Sequence, residues 1–215
     1  KIDKAIKDSG YDFEKINIQD KQYWESVIDS ENEYVRQFID FDDGKEIWKW
    51  TGGLTRMHFS PAAVWPVAAE GKVFIADPQR ALTAIDIHNG ETIWRTFESQ
   101  VRETVGLSED ETRIYSKTMN DSIVCFATQG NTPKKLWASN VGFGYEHAPS
   151  MPQEKEGVMY GSTKEGLIFA LNAQTGEVIW KHKIGNSLIN TVVPLNKKEV
   201  LFTATSGEVG LLRMK

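Results

Sequence analysis

Between Glu70 and Trp94 the alternation of apolar and polar positions spells out one complete unit. Val73-Phe74-Ile75-Ala76 is a short β-rich run, Asp77-Pro78-Gln79-Arg80 breaks it, and Ala81 to Asp86 alternates small or apolar residues with others. Asn89-Gly90, a pair that tolerates positive φ at both positions and so suits a type I′ hairpin, then reverses the chain into Glu91 to Thr96. Upstream, Ser60 to Val67 supplies a further strand. The pattern predicts four short antiparallel strands joined by tight turns.

That unit recurs. FIDFDDGKEIW (38–48), AIDIHNGETIW (84–94), CFATQGNTPKKLW (125–137) and ALNAQTGEVIW (170–180) each end in tryptophan, and Trp48, Trp94, Trp137 and Trp180 are spaced by 46, 43 and 43 residues. A period of this size belongs to stacked β repeats. Aligned on the tryptophan, the second strand falls at 22–29, 73–78, 113–118 and 158–163, and the third at 34–40, 81–86, 122–127 and 167–172. A fifth copy runs LINTVVPL, EVLFTAT and GEVGLLRMK from Leu188 and stops before the turn and the tryptophan strand. Asp43-Gly44, Asn89-Gly90 and Thr175-Gly176 put glycine where a positive φ is cheap, and the turn at Gln129 to Pro133 carries an insertion. A four-stranded sheet has two faces and must pack both on neighbours. A tryptophan covering such a seam buries about 150–250 Å², which at about 25 cal/mol per Å² is up to about 4–6 kcal/mol before chain entropy is subtracted.

The consensus A-[IL]-[DN]-x-x-[TN]-G-E-x-I-W resembles the tryptophan-docking motif of β-propellers related to pyrroloquinoline quinone (PQQ) dehydrogenases, over roughly residues 11–215 and most clearly at 84–94 and 170–180. WD-repeat propellers are the structural rival, but no Trp-Asp dipeptide ends a repeat here. The resemblance implies an all-β propeller of four-stranded antiparallel blades, with about five blades present. Family propellers usually have about eight blades, and an unclosed ring leaves open strand edges. Three readings are open: the C-terminal part of a larger propeller, which is favoured; a five-bladed ring in which Lys1 to Lys7 complete the last blade; or pairing with another copy. Residues 34–215 form the repeat region, and 1–33 are an irregular segment or a partial first blade.

The net charge of −5, with both signs interspersed, gives no basic stripe for nucleic acid and no polybasic patch for anionic lipid. Cys125 is the one cysteine, so no intramolecular disulfide forms, and in SIVCFAT it reads as a small buried hydrophobe. No apolar stretch approaches the roughly 20 residues of a membrane span. The chain starts at Lys1 without a signal peptide or an initiator methionine, which reads as the loss of something upstream.

In a propeller the first strand of each blade lines the central channel. Those strands read MHFSPA (57–62), VRETVG (101–106), EHAPSM (146–151) and INTVVP (189–194), which sets His58, Arg102, His147 and Asn190 at matched height with Glu103 and Glu146 beside them. The functional reading is a channel-mouth site for an anionic or polar ligand, with Arg102 as a bidentate donor and the imidazoles as switchable donors. The plain alternative is that a wet channel carries polar residues. Arg80, Lys117 and Lys164 follow the second strand of successive blades and form a possible positive rim, or ordinary solvated loop charges. Trp65 reads as core in preference to a stacking platform, and His88 and His182 read as solvent-facing. His58, Glu146 and His147 make a poor metal site, because sequence neighbours on a strand point to opposite faces.

The resemblance implies two functions. One is a noncatalytic scaffold binding protein, peptide or saccharide, similar to the propellers of outer-membrane assembly lipoproteins and placed in the periplasm or cell envelope, with no cofactor. The other is a quinoprotein dehydrogenase holding PQQ and calcium in the channel. For that chemistry the chain lacks the adjacent-cysteine disulfide and an acidic cage for a hard cation, and Arg102 and Glu103 are the one pair available for cofactor duties. An accessory domain of an upstream hydrolase such as a metallophosphoesterase is a third reading; the sequence holds no phosphoesterase metal motif.

Overall fold

The structure, a computed structural model, describes residues 35–39, 46–51, 65–77, 79–143 and 150–214, and the chain divides into two compact units, 1–59 and 60–215. All regular structure among the described residues is β.

In the first unit β1 (Val35–Ile39) pairs antiparallel with β2 (Glu46–Thr51), the expected third and fourth strands of a copy, and Trp48 and Trp50 are buried. The expected strand at 22–29 and the segment 1–33 lie outside the described residues.

In the second unit the strands follow the chain as meanders. β3 (Val67–Ala69), β4 (Lys72–Ala76), β5 (Leu82–Asp86) and β6 (Thr92–Thr96) form one four-stranded sheet. β7 (Val101–Leu107), β8 (Arg113–Thr118), β9 (Ser122–Ala127) and β10 (Lys135–Asn140) form the next, and β11 (Gln153–Lys155), β12 (Val158–Ser162), β13 (Leu167–Asn172) and β14 (Val178–Lys183) the third. β15 (Ile189–Asn196), β16 (Glu199–Ala204) and β17 (Val209–Arg213) make a sheet of three. Second, third and fourth strands sit where the repeat places them.

Why the pattern works is visible in the seams. Every residue of β4, β8 and β12 is buried, because each of these strands is covered on both sides, whereas β10 and β14 are mostly exposed. Successive side chains of one strand enter opposite seams, as the pleat requires. Ile114 and Phe126 pack with Phe74, Trp94, Val101 and Val105 between the first two sheets. Tyr115 and Cys125 instead face Met159, Phe169 and Leu171, and Tyr160 and Ala170 face Ile189, Val192, Val200 and Phe202.

Two expectations change. Two of the four first strands, β7 and β15, fall where read, but β3 spans Val67–Ala69 and β11 Gln153–Lys155, and the segments read there, 57–64 and 144–149, lie outside the described residues. The Asn89-Gly90 turn is also no two-residue hairpin. Only Gly90 takes a positive φ, of 74°, and the loop closes between Asp86 N–H and Glu91 C=O at 2.8 Å. Asp86 Oδ1 accepts the amides of His88 and Asn89 at 2.8 and 3.3 Å, an Asx turn that holds the loop open by two more residues.

Candidate functional site

The repeat's tryptophan is a docking side chain in at least one seam. Trp137, on β10, donates its indole Nε1–H to the carbonyl of Ala173 in the following blade at 3.1 Å. Its ring lies so close to Gly176 (φ 76°) that a Cβ there would sit 2.6 Å from an indole carbon. The loop that receives it is built by Asn172, whose Oδ1 accepts the amides of Gln174 and Thr175 at 2.9 and 3.1 Å. Asn172 therefore shapes the platform, a role that sequence reasoning missed although the [DN] of the consensus marks it.

The other tryptophans differ with their neighbours. Trp94 is buried against Phe74, ring centroids 5.9 Å apart, and the Gly130 of the inserted turn has open space where its Cβ would go. Trp180 faces the three-stranded sheet, is half-buried, and stacks on the exposed His182 at 5.6 Å. Beside it is a cavity of about 210 Å³ lined by Val158, Ile179, Trp180, Lys197, Lys198 and Met214. Trp48 is buried in its own unit.

Of the residues read into the channel row, the structure describes Arg102 and Asn190. Val67, Gly106 and Gln153 are the true equivalents, since they pair with Phe74, Tyr115 and Tyr160 of the second strands. Arg102 is buried and engaged on β7, and Asn190 is exposed on β15. The side chain of Glu103, and all of His58, Glu146 and His147, lie outside the described residues. Trp65, read as core, is 54% exposed and bridges Thr104 in parallel, so it stands at the inner strands as an accessible ring.

The positive rim is also redistributed. Arg80 (φ 70°) and Lys164 are half-buried in the turns after β4 and β12. Lys117 is fully buried inside β8 and is no rim residue. Its ammonium donates to Ser150 Oγ at 3.0 Å, and Ser162 Oγ donates to the same oxygen at 2.7 Å. An unpaired buried cation is costly, so these hydroxyls are what the position requires.

A second polar network closes the seam between β8 and β11. Arg113 donates to Tyr115 Oη at 3.2 Å and lies 3.1 Å from Asp110 and 3.6 Å from Glu154. Tyr115 donates to Glu154. Burial first, and then the Glu154 hydrogen bond, push the Tyr115 phenol well above its ordinary range. Outside the barrel of side chains Glu109 accepts the Glu156 amide at 2.9 Å and pairs with Lys155, and Glu156 accepts the Lys197 amide at 3.3 Å, tying three consecutive blades. Among the described residues no cluster of three or more His, Cys, Asp or Glu side chains is placed to hold a metal ion, and no helix is long and apolar enough to cross a membrane.

Stacked four-stranded meander sheets, with Trp137 docking one blade on the next, define a β-propeller of the PQQ-like repeat class. The chain belongs to the family described as outer membrane protein assembly factor BamB, whose profile matches residues 32–132 and again 120–214. The assembly factor BamB of Burkholderia pseudomallei is 27% identical over 172 residues, covering 79% of this chain and 40% of that protein. The computationally designed Ika8 protein shares the fold with a TM-score of 0.67 at 14% identity, covering 85% of this chain and 56% of that one. BamB from Moraxella catarrhalis does so with a TM-score of 0.52 at 12% identity, covering 85% and 70%. The chain spans less than half the length of the curated relatives it matches.

Proposed function

We propose that this chain is a noncatalytic propeller module that binds a polypeptide partner during assembly of outer-membrane proteins, in the bacterial cell envelope. The family match across both halves of the repeat region carries this reading, because the matched family and its relatives are outer membrane assembly factors. The blade geometry is consistent with it. Arg113, Glu154 and Lys117 serve the seams between blades. The partner-facing surface is the inner-strand side of the second unit, where Trp65 and Asn190 are exposed. No cofactor is required for this role.

Two measurements test it. Deleting the gene should lower the abundance of β-barrel proteins in outer-membrane fractions, with restoration by the intact gene; an unchanged outer-membrane profile would refute the role. Calorimetric titration of the folded chain with PQQ, with and without calcium, should give no heat of binding. Calcium-dependent binding would instead establish the quinoprotein reading and call for assays of alcohol and sugar oxidation.

A further inference from the structure

The loops that close β5 to β6 and β13 to β14 match bond for bond. Gly90 and Gly176, at φ 74° and 76°, donate their amides to the carbonyls of Asp86 and Asn172 at 3.0 and 2.8 Å. Asp86 and Asn172 in turn donate their amides to the carbonyls of Glu91 and Glu177, both at 2.8 Å. The residue before each glycine serves its loop in the same way. Asn89 Oδ1 accepts the Glu91 amide at 2.9 Å, and Asn89 Nδ2 donates to Glu91 Oε2 at 3.4 Å. Thr175 Oγ1 accepts the Glu177 amide at 3.3 Å and donates to Glu177 Oε2 at 3.2 Å. A threonine thus meets the structural need at this position. An asparagine meets it too, and brings chemistry that a threonine lacks.

That chemistry follows from the neighbour. Asn89-Gly90 is the single Asn-Gly pair in the chain. Glycine has no Cβ to hinder the approach of its nitrogen to the preceding side chain, and Asn89 is exposed to water. In the closed loop the attack is held off from both sides. The Gly90 N–H is engaged by Asp86, and both ends of the Asn89 amide are engaged by Glu91. A peptide nitrogen is a poor nucleophile while it keeps its proton, because its lone pair is delocalised into the carbonyl. Asp86 Oδ1, which accepts the amides of His88 and Asn89, keeps the loop in this state. Local opening costs least in exposed turns of this kind.

We propose that Asn89 is a modification site, converted to aspartate and isoaspartate in the fraction of molecules whose β5–β6 loop has opened. The Gly90 nitrogen gives its proton to solvent base and bonds to Asn89 Cγ; the Cγ–Nδ2 bond breaks and Nδ2 leaves as ammonia. Water then adds to either carbonyl of the cyclic imide, so the net change is water in and ammonia out. The product sets a new carboxylate between Asp86 and Glu91. Its isoaspartate form also adds a methylene to the main chain of a turn closed by the Asp86–Glu91 hydrogen bond. The matching loop of the third sheet is the one that receives Trp137, so the reaction alters a loop of the kind on which blades dock.

Tryptic peptide 81–95, in which Asn89 is the one asparagine, reports the conversion by mass spectrometry after the folded chain is incubated at neutral pH. The synthetic peptide of the same sequence should convert about tenfold faster than the folded chain, since only the opened minority of folded molecules reacts. Asp86→Ala removes the acceptor for His88 and Asn89 and should raise the folded chain's rate several-fold. Asp86→Asn keeps that acceptor, as Asn172 does in the third sheet, and should leave the rate near its original value. Exchange of the Gly90 amide should quicken in Asp86→Ala in the same proportion while the amides of β5 stay protected, which separates loop opening from unfolding. Asn89→Thr copies the third sheet and should show no mass gain and an unchanged urea midpoint. Equal rates in folded chain and peptide, no acceleration in Asp86→Ala, or a product free of isoaspartate would overturn the assignment. So would an unmodified Asn89 in the folded chain once the peptide has converted completely.

Discussion

The contact between Trp137 and Gly176 allows the docking principle to be tested as a coupling energy. Removing a fully buried tryptophan costs about 3–5 kcal/mol; Trp137 is half-buried, which lowers the expected cost of Trp137→Ala to about 2–3 kcal/mol, including about 1 kcal/mol for the hydrogen bond to Ala173. Gly176→Ala has two parts. Holding alanine at a φ of 76° costs about 1 kcal/mol. Its Cβ would also lie 2.6 Å from the indole, a clash that adds about 1–3 kcal/mol. Only the second part vanishes when the indole is absent. In the Trp137→Ala background Gly176→Ala should therefore cost about 1 kcal/mol, a coupling of about 1–3 kcal/mol. Gly130→Ala supplies the control, since its φ is 88° but nothing lies within 4 Å of the added carbon, so it should cost the backbone part alone in either background. Urea denaturation of the four cycle members and the control measures all of this. Additive costs at Trp137 and Gly176, or equal costs for the two glycines, would refute the docking geometry.

Three further outcomes are expected. Glu154→Ala should destabilise the chain by about 3 kcal/mol in urea titrations, because it strips a buried acceptor from Tyr115 and Arg113, while Tyr115→Phe should cost about 1–2 kcal/mol; a neutral Glu154→Ala would mean the network is slack. Burial raises the Asp110 carboxyl, but hydrogen bonds from Ser108 and Thr112 and the charge of Arg113 outweigh it and hold the group at about 2. A lowered folded value means stability present above the ordinary value of about 3.9 and lost as pH falls through about 2; since Asp110 is half-exposed the effect should stay below about 1 kcal/mol, and Asp110→Asn should flatten the acid limb of a stability–pH curve between those values. Cys125 is buried, which pushes its thiol up to about 12, so a disulfide reagent at pH 8 should label it only on unfolding; rapid labelling of the folded chain would contradict its place in the seam.

Blade order and strand positions were legible wherever the chain punctuates itself. Trp94 and Trp180 sit at a fixed distance from Asx-shaped loops and Trp137 follows a longer turn, and second, third and fourth strands follow from counting on the three tryptophans. The first strands were legible only in part, since β7 and β15 fall where read and β3 and β11 do not. β11 has three residues and is set by the Glu156-Gly157 turn that follows it, and β7 carries an irregularity between Val101 and Val105 that shifts its register. The row of His58, Arg102, His147 and Asn190 rests in part on 57–62 and 146–151, which lie mostly outside the described residues. Lys117 failed for a different reason. A lysine in isolation reads as exposed, and only the serines of the next blade, Ser150 and Ser162, reveal that this one is not.

In a repeat chain, a position is best judged against its equivalents. Ala76, Lys117 and Ser162 occupy one such position, each two residues beyond the second-strand aromatic that faces Ala84, Cys125 or Ala170. Two of the three are small, as a doubly covered strand prefers; the third is a cation that must be accommodated by hydroxyls from its neighbour. Ala84, Cys125, Ala170 and Leu211 form another such set, small in the complete blades and large on the open edge. The repeat thus accounts for the docking tryptophans, the Asx loops and the apolar seams, features that any chain of this architecture needs. What is particular to this protein resides in the exceptions, and of these Leu211 is the accessible one. Lys117 is sealed within a seam and answered by Ser150 of the next blade, whereas Leu211 stands half-exposed on β17.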